Sequence, residues 1–297
     1  MIAPTGQREF VRLSAPAMGT RFECVLAGGD LALLRAAGEA ALAEVCGLSD
    51  RLSAFSAGSV LSYINANAAK RAVAVDREVF ELLSLCREGW LASEGAFDVT
   101  VGPLMEAWGF CGRAGSAGDV ARARQVVGMD KVRLDAMRGT VRFACEGVRL
   151  DLGGVAKGWA LDVAARVLRE AGVVCALMHG GTSSVVAIGS PENGDGWRVR
   201  VGDGAVTLRD RSLSVSAPRG RMIQADGRQV GHVLDPRAGS PVGGVEFGAA
   251  VCAEGVWAEV WSTALLVLGR PPAGMPGDVE VILGPRSAGI HQEEVCA

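Results

Sequence analysis

The chain has 297 residues, of which 49% are hydrophobic and 21% charged, with a formal net charge of −3. Those proportions fit a globular protein with a full core, in one large domain or two small ones. The slight acidity and the lack of any basic run exclude a broad nucleic-acid surface, and no apolar run approaches the length of a membrane span.

Residues 8–27 read as two strands broken at Pro16-Ala17-Met18-Gly19-Thr20. Asp30 is a predicted N-cap, and residues 31–48 follow as an amphipathic helix with Leu34, Ala37, Ala41, Leu42 and Val45 near one face. Residues 52–65 form a Ser-rich loop or a short helix, and 73–75 a short strand. Asp76 caps a helix to about residue 93, with Val79, Leu82, Leu83 and Cys86 inward. Residues 94–103 read as a loop, with a short helix to Trp108. Residues 111–118 are Gly-rich, and 120–127 are a helix candidate. Residues 132–134 and 140–143 pair as a hairpin, and a helix spans 159–170. Strands are expected at 173–178, 185–188, 197–201, 213–216, 222–225, 231–234, 247–252 and 279–283. A turn lies at 180–184 and a stronger one at 235–241, where Pro and Gly interrupt. A last helix covers 258–268. With no internal repeat and no linker, the expectation is one α+β domain over 1–297. Its mixed or antiparallel sheets are flanked by helices, and residues 1–7 and 286–297 are frayed tails.

The eight cysteines are scattered, with no C-x-x-C pair and no Cys/His cluster. This argues against a zinc site and fits a reducing compartment. Residues 1–10 carry no apolar signal region, so the expectation from the sequence as it stands is a cytoplasmic protein.

Asp151-Leu152-Gly153-Gly154-Val155-Ala156-Lys157-Gly158 joins a strand-like run to a helix. Adjacent glycines admit close backbone approach, a helix start offers free N–H groups, and Lys157 adds a positive charge. The stretch reads either as an anion site with one acidic anchor or as a tight strand-to-helix turn with a solvated lysine. Glu259, Ser262 and Thr263, at i, i+3 and i+4, share one helical face. Three oxygen groups suit a hard cation such as Mg²⁺, and an exposed helical turn is the plainer reading. His232 enters a turn with Asp235, either as a general base or as a partner of that turn. His179 reads as a structural histidine and His291 as a solvated one. Ala96-Phe97-Asp98 places a ring and a carboxylate in a glycine-flanked loop, where Phe97 serves either a ligand or the core. There is no G-x-S-x-G elbow, P-loop or G-x-G-x-x-G fingerprint.

Taken in order along the chain, these stretches resemble the ApbE family of FAD:protein FMN transferases. The resemblance rests on Met18-Gly19-Thr20; on Leu52-Ser53-Ala54-Phe55 with Ser59 and Asn65; on residues 95–103 with Trp108-Gly109-Phe110; and on Asp151 to Gly158. It continues through Gly180-Gly181, through His232 to Pro236 with Gly239 and Pro241, and through Ala258-Glu259 with Ser262-Thr263-Ala264. It implies the family's α+β fold and a Mg²⁺-dependent transfer of FMN from FAD to a Thr or Ser hydroxyl of an acceptor protein, with release of AMP. Carried over residue by residue, it implies FAD contacts from Met18, Phe55, Ala96, Phe97, Asp98, Asp151, Lys157 and Val233. It implies metal contacts from the Gly154 carbonyl, Glu259, Ser262 and Thr263. His232 would activate the acceptor hydroxyl, and Lys157 would assist at the diphosphate.

Three departures from the family pattern stand out. Glu259 occupies a position where Asp is usual, Ser262 one where many members carry a second acid, and Thr182 follows the Gly-Gly pair where an acid is common. They keep two alternatives in view: an FAD-binding protein without transfer, and a pyrophosphatase yielding FMN and AMP. Family members are often periplasmic or membrane-anchored, whereas this chain shows no leader and no lipobox cysteine.

Overall fold

Period-two alternation along the strands builds one large sheet, and the amphipathic segments between them pack on one of its faces. The computed structural model describes residues 9–112, 115–191, 194–218, 220, 222–225 and 228–285. The two expected frayed tails and His291 lie outside the described residues.

In chain order the elements are β1 (Val11–Ala17), β2 (Thr20–Leu26), α1 (Leu31–Arg51), α2 (Val60–Asn67), β3 (Val73–Ala74), α3 (Arg77–Ala92), α4 (Gly102–Trp108) and α5 (Ala117–Gln125). After a 3-10 turn at Met129–Lys131 come β4 (Val132–Asp135), β5 (Thr140–Phe143), α6 (Ala156–Glu170), β6 (Ala176–Gly180), β7 (Ser184–Ile188), β8 (Trp197–Val201), β9 (Gly204–Leu208) and β10 (Ser212–Ser216). The chain continues through β11 (Met222–Ala225), β12 (Arg228–Gly231), β13 (Leu234–Asp235), β14 (Ser240–Pro241), β15 (Gly248–Cys252), α7 (Gly255–Leu268) and β16 (Glu280–Leu283). The fold is α+β, as expected.

Seven strands in the order β1-β2-β6-β7-β10-β15-β16 form the main sheet, antiparallel throughout. Alternate residues separate its two faces. Cys24, Met178, Val186 and Ala250 join the large core beneath α1, α6 and α7. Ala187, Leu213, Ala249 and Val251 face the other way, where Trp197, Val206 and Leu208 of the β8–β9 hairpin cover them. The smaller sheet β3-β5-β4 and the hairpins β11–β12 and β13–β14 lie outside the main sheet.

Several boundaries differ from the sequence expectation. The first strand runs through Pro16 to Ala17, because only Met18 and Gly19 are needed for the turn; both have positive φ, +50° and +71°, which gives the twist that a two-residue hairpin requires. Helix α1 passes Leu48 to Arg51, whose guanidinium pairs with Asp76 and Glu78 at the start of α3, at 2.6 and 2.5 Å. The strand expected at 173–178 begins at Ala176 and ends at Gly180, so His179 and Gly180 belong to the sheet. The expected strand at 231–234 divides into β12 and β13, with His232 and Val233 at the break. Helix α6 begins at Ala156 rather than Trp159, which places Lys157 inside its first turn. The hairpin strand β9 lies outside the expected elements, although Val206 and Leu208 face inward and alternate with exposed Ala205 and Thr207.

Asp30, Ser59 and Asp76 cap α1, α2 and α3 through their side chains. Helix α7 is capped differently. Its own N-cap residue, Glu254, makes no side-chain cap. Instead Asp162 of α6 accepts from Gly255 N at 2.6 Å and Val256 N at 2.8 Å. The two helices cross at glycines. A β-carbon on Gly158 would collide with Gly255 O, and one on Gly255 would lie 2.8 Å from Gly158 O. Helix α7 is apolar on nearly all sides, as befits a helix buried on all sides. The described cysteines are free thiols, and burial pushes Cys24 and Cys252 up to about 12, as inert packing residues.

Burial pushes the Asp162 carboxyl up to about 7 despite the two backbone donors. The folded chain therefore holds a proton there that the unfolded chain has already released above about pH 4. The group's contribution to stability is full below that pH and fades as pH rises through 7. Asp162→Asn should flatten the decline in unfolding free energy between pH 4 and 7, measured by urea titration. Asp162→Ala, which leaves both N–H groups unpaired, should cost about 1–3 kcal/mol.

Candidate active site

Three chain segments converge on the N-terminus of α6. Asp151 N donates to Val99 O at 2.7 Å, and Val101 bridges Arg149 in parallel. The Ala96-Phe97-Asp98 loop is thereby zipped to the segment that leads into the helix. On the other side, Asn65 of α2 behaves like a neighbouring strand. Its Nδ2 donates to Leu150 O at 2.9 Å, and its Oδ1 accepts from Leu150 N at 2.8 Å. Asp151 Oδ1 accepts from Gly153 N at 2.8 Å, which bends the chain into the glycine pair.

Within the loop, Ala96 and Phe97 are buried. The Phe97 ring packs near Gly89 of α3 and Gly154. It thus fills the core alternative of the sequence reading and at the same time braces the glycine pair. Asp98 is also buried and accepts from Thr100 N at 2.7 Å and Thr100 Oγ1 at 2.6 Å. Burial pushes its carboxyl up to about 6, against the pull of those donors. Asp98 lines a cavity of about 340 Å³ together with Trp90, Gly95, Gly128, Pro236 and Arg237. The loop and the 235–241 turn therefore share one cavity.

Helix α7 completes the constellation. Glu259 is 3% exposed. Its Oε1 accepts from Ser184 Oγ of β7 at 2.5 Å, and its Oε2 accepts from Ser214 Oγ of β10 at 2.8 Å. Lys157 Nζ stands 3.9 Å from Oε1. Ser262 Oγ donates to Ser214 Oγ at 3.0 Å, and Ser216 Oγ lies 2.9 Å from Ser262 Oγ and 3.2 Å from Thr263 Oγ1. The i, i+3, i+4 face read from the sequence thus turns toward a row of strand serines.

Ser184 stands out in the sequence only as one of three hydroxyls after the Gly-Gly turn, and Ser214 and Ser216 escaped the sequence reading. Their signal was the alternation of Ser212, Ser214 and Ser216 along β10 with apolar residues between them, a strand face that is polar where it meets a helix.

The remaining candidates are placed as follows. Met18 N donates to Ser49 Oγ of α1 at 2.8 Å, which fixes the hairpin tip. Phe55 lies on the loop before α2 and is 74% exposed, so its ring adds nothing to the core. His232 and Val233 are half-buried, and the His232 ring lies against Gly220. The Asp235 carboxylate is engaged by Arg237, through its backbone N at 2.9 Å, Nε at 3.0 Å and Nη2 at 2.9 Å. Burial raises the pKa of Asp235, but the Arg237 donors outweigh it and leave the carboxyl below its ordinary range. His179 plays the structural part expected of it: Nδ1 faces Gly181 O at 2.9 Å and Nε2 faces Glu23 Oε2 at 3.2 Å.

Among the described residues, no three His, Cys, Asp or Glu side chains gather as a metal cluster. A cation here would rest on one carboxylate and neutral oxygens. The donor set fits that role. Every donor is oxygen, each carboxylate oxygen keeps a lone pair beyond the one its serine occupies, and each hydroxyl oxygen carries two lone pairs beside its hydrogen.

With this geometry in hand, comparison with known proteins gives a consistent result. The profile of the ApbE family matches residues 18–275, and the chain belongs to that family. An FAD:protein FMN transferase of Rhodobacter capsulatus is 33% identical over 229 residues, which cover 73% of this chain and 43% of that longer protein. One of Klebsiella pneumoniae (strain 342) is 29% identical over 229 residues, 74% of this chain and 72% of that protein. The ApbE protein of Thermotoga maritima has the same fold, with a TM-score of 0.81 at 28% identity, covering 88% of this chain and 87% of that one. Among the described residues, no helix is long and apolar enough to cross a membrane.

Asn65→Ala removes both bonds to the Leu150 backbone and should lower the unfolding free energy by about 1–3 kcal/mol in a urea titration. An unchanged midpoint would mean that the 149–151 segment is held by other contacts.

Proposed function

We propose that this chain transfers FMN from FAD to a Thr or Ser hydroxyl of an acceptor protein, releases AMP, and uses Mg²⁺. The observation that carries the reading is the meeting of Lys157 and Glu259 at the start of α6, beside the glycine pair and the Asp98 loop. A cation and a helix N-terminus suit a diphosphate, and an oxygen-rich carboxylate site beside them suits a hard metal. The names of the Rhodobacter and Klebsiella relatives support the same chemistry.

In this reading the FAD diphosphate lies over the first turn of α6, where Lys157 neutralises part of its charge. Met18, Phe55, Ala96, Phe97, Asp98, Asp151 and Val233 surround the nucleotide. Phe55, being exposed, is free to stack on a ring, and Asp98 presents an acid to the cavity. Gly154 O, Glu259, Ser262 and Thr263 would hold Mg²⁺, which supplies Lewis-acid stabilisation of phosphoryl charge. The acceptor oxygen attacks the FMN phosphorus, the bond to the AMP oxygen breaks, and His232 takes the hydroxyl proton. FMN stays on the acceptor as a phosphoester. With water in place of the hydroxyl, the same site would act as a pyrophosphatase.

The test is to incubate the full chain with FAD, Mg²⁺ and a peptide bearing a Thr acceptor, then weigh the peptide and assay AMP. A peptide heavier by one FMN with matching AMP is expected. AMP without labelled peptide would replace transfer by hydrolysis for that acceptor, and bound FAD without AMP would reduce the protein to a flavin binder. Lys157→Ala and Thr263→Ala should each slow FAD turnover by roughly 10²-fold or more, as loss of a charge-stabilising group does. His232→Ala should depress transfer more than FAD binding, measured by flavin fluorescence; equal losses would make His232 structural.

A further inference from the structure

Two strand serines outside the family resemblance, Ser214 and Ser216, join Ser262 of α7 in a continuous hydroxyl row from a buried carboxylate to the half-buried Thr263. The row runs Glu259 Oε2, Ser214, Ser262, Ser216, Thr263, with steps of 2.8, 3.0, 2.9 and 3.2 Å. Each hydroxyl has one hydrogen to give. A carboxylate only accepts, so Ser214 donates to it and must accept from Ser262. Ser262 shares its hydrogen between Ser214 Oγ and the Glu259 carbonyl, 3.2 Å away, and so accepts from Ser216, which in turn accepts from Thr263. Every O–H along the row points toward Glu259. Thr263 is left with its oxygen lone pairs directed away from the row, the orientation needed to meet an electropositive ligand. Aligned donors of this kind reinforce one another in a low-dielectric interior. Ser184 closes the other carboxylate oxygen at 2.5 Å and fixes the side chain's rotation.

We propose that Ser184, Ser214 and Ser216 are positioning residues of this site. They hold the Glu259 carboxylate in one orientation and transmit its charge as a proton order that presents the Thr263 oxygen as an acceptor. The proposal rests on the reading of Glu259 and Thr263 as cation ligands. It also accounts for a glutamate here: the longer side chain is pinned at both oxygens by hydroxyls from two neighbouring strands, β7 and β10.

The probe is Mn²⁺ binding to the full chain loaded with FAD, followed by electron paramagnetic resonance of free Mn²⁺, with thermal unfolding alongside. Ser214→Ala breaks the row at its first link and should weaken Mn²⁺ binding by about tenfold or more, the usual effect of losing a group that orients a ligand. Ser214→Thr keeps the hydroxyl and should restore binding. Ser216→Ala, at a half-buried position, leaves the Ser214–Glu259 bond intact and should weaken binding with little change in melting temperature. It should also raise the Mg²⁺ concentration needed for half-maximal turnover more than it lowers the maximal rate. Mn²⁺ affinity unchanged in Ser214→Ala and Ser216→Ala would overturn the proposal while leaving the transferase reading intact. So would failure of Ser214→Thr to restore binding in a folded protein. A parent chain that binds no Mn²⁺ would overturn both.

Discussion

The crossing of α6 over α7 is the constraint on which the site depends. Gly158 and Gly255 let the two backbones touch, and neither position has room for a methyl group. Asp162 then reaches across to satisfy two N–H groups at the start of α7, which has no side-chain cap of its own. With the helices locked this closely, Lys157 one residue before the crossing and Glu259 one turn beyond it come within 3.9 Å. A wider crossing would separate the ammonium from the carboxylate and leave a buried acid with hydroxyls alone. Such an acid is costly unless its charge is offset.

Two of the three residues that depart from the family pattern, Glu259 and Ser262, are intelligible on this frame. Glu259 is one methylene longer than the aspartate usual at its position, and Ser184 and Ser214 take up its two oxygens. Ser262, where the resemblance sets an acid in many members, is a link in the hydroxyl row. A second carboxylate there would face Glu259 one helical turn away inside a buried layer, and the serine avoids that repulsion. The site gathers its oxygens from hydroxyls on strands rather than from additional charges on the helix.

Much of this was legible in the chain itself. Asp30 and Asp76 announced their helices, because a short acidic side chain before an apolar period has one common use. The Asp151–Gly158 stretch stands out, as an anion site or a tight turn, because glycines, a lysine and a helix start coincide there. Less legible were contacts that join distant segments. Asn65 enters the sequence reading only through the family resemblance, and nothing local says that its amide pairs with Leu150. Nothing in the sequence around Asp162 marks it as the cap of a helix 93 positions further on. Apolar Val173 and Val174 put the expected strand too early, since the chain uses them to connect α6 to the sheet and extends the sheet through His179, which is held by Glu23 of the neighbouring strand. Periodicity reports which residues are buried, and it does not say which partner buries them.

The lateness of α7 in the chain has a bearing on biosynthesis. At about 5–20 residues per second, the ribosome needs roughly 5–20 s to travel from Asp162 to Gly255. For that interval α6 is complete while its glycine notch and capping carboxylate have nothing to hold. Strands β10 and β15 wait for the same helix, since α7 packs across both. The nascent chain thus carries an open seam along its sheet until α7 emerges, and it is in those seconds, rather than in the finished protein, that a chaperone would have most to protect.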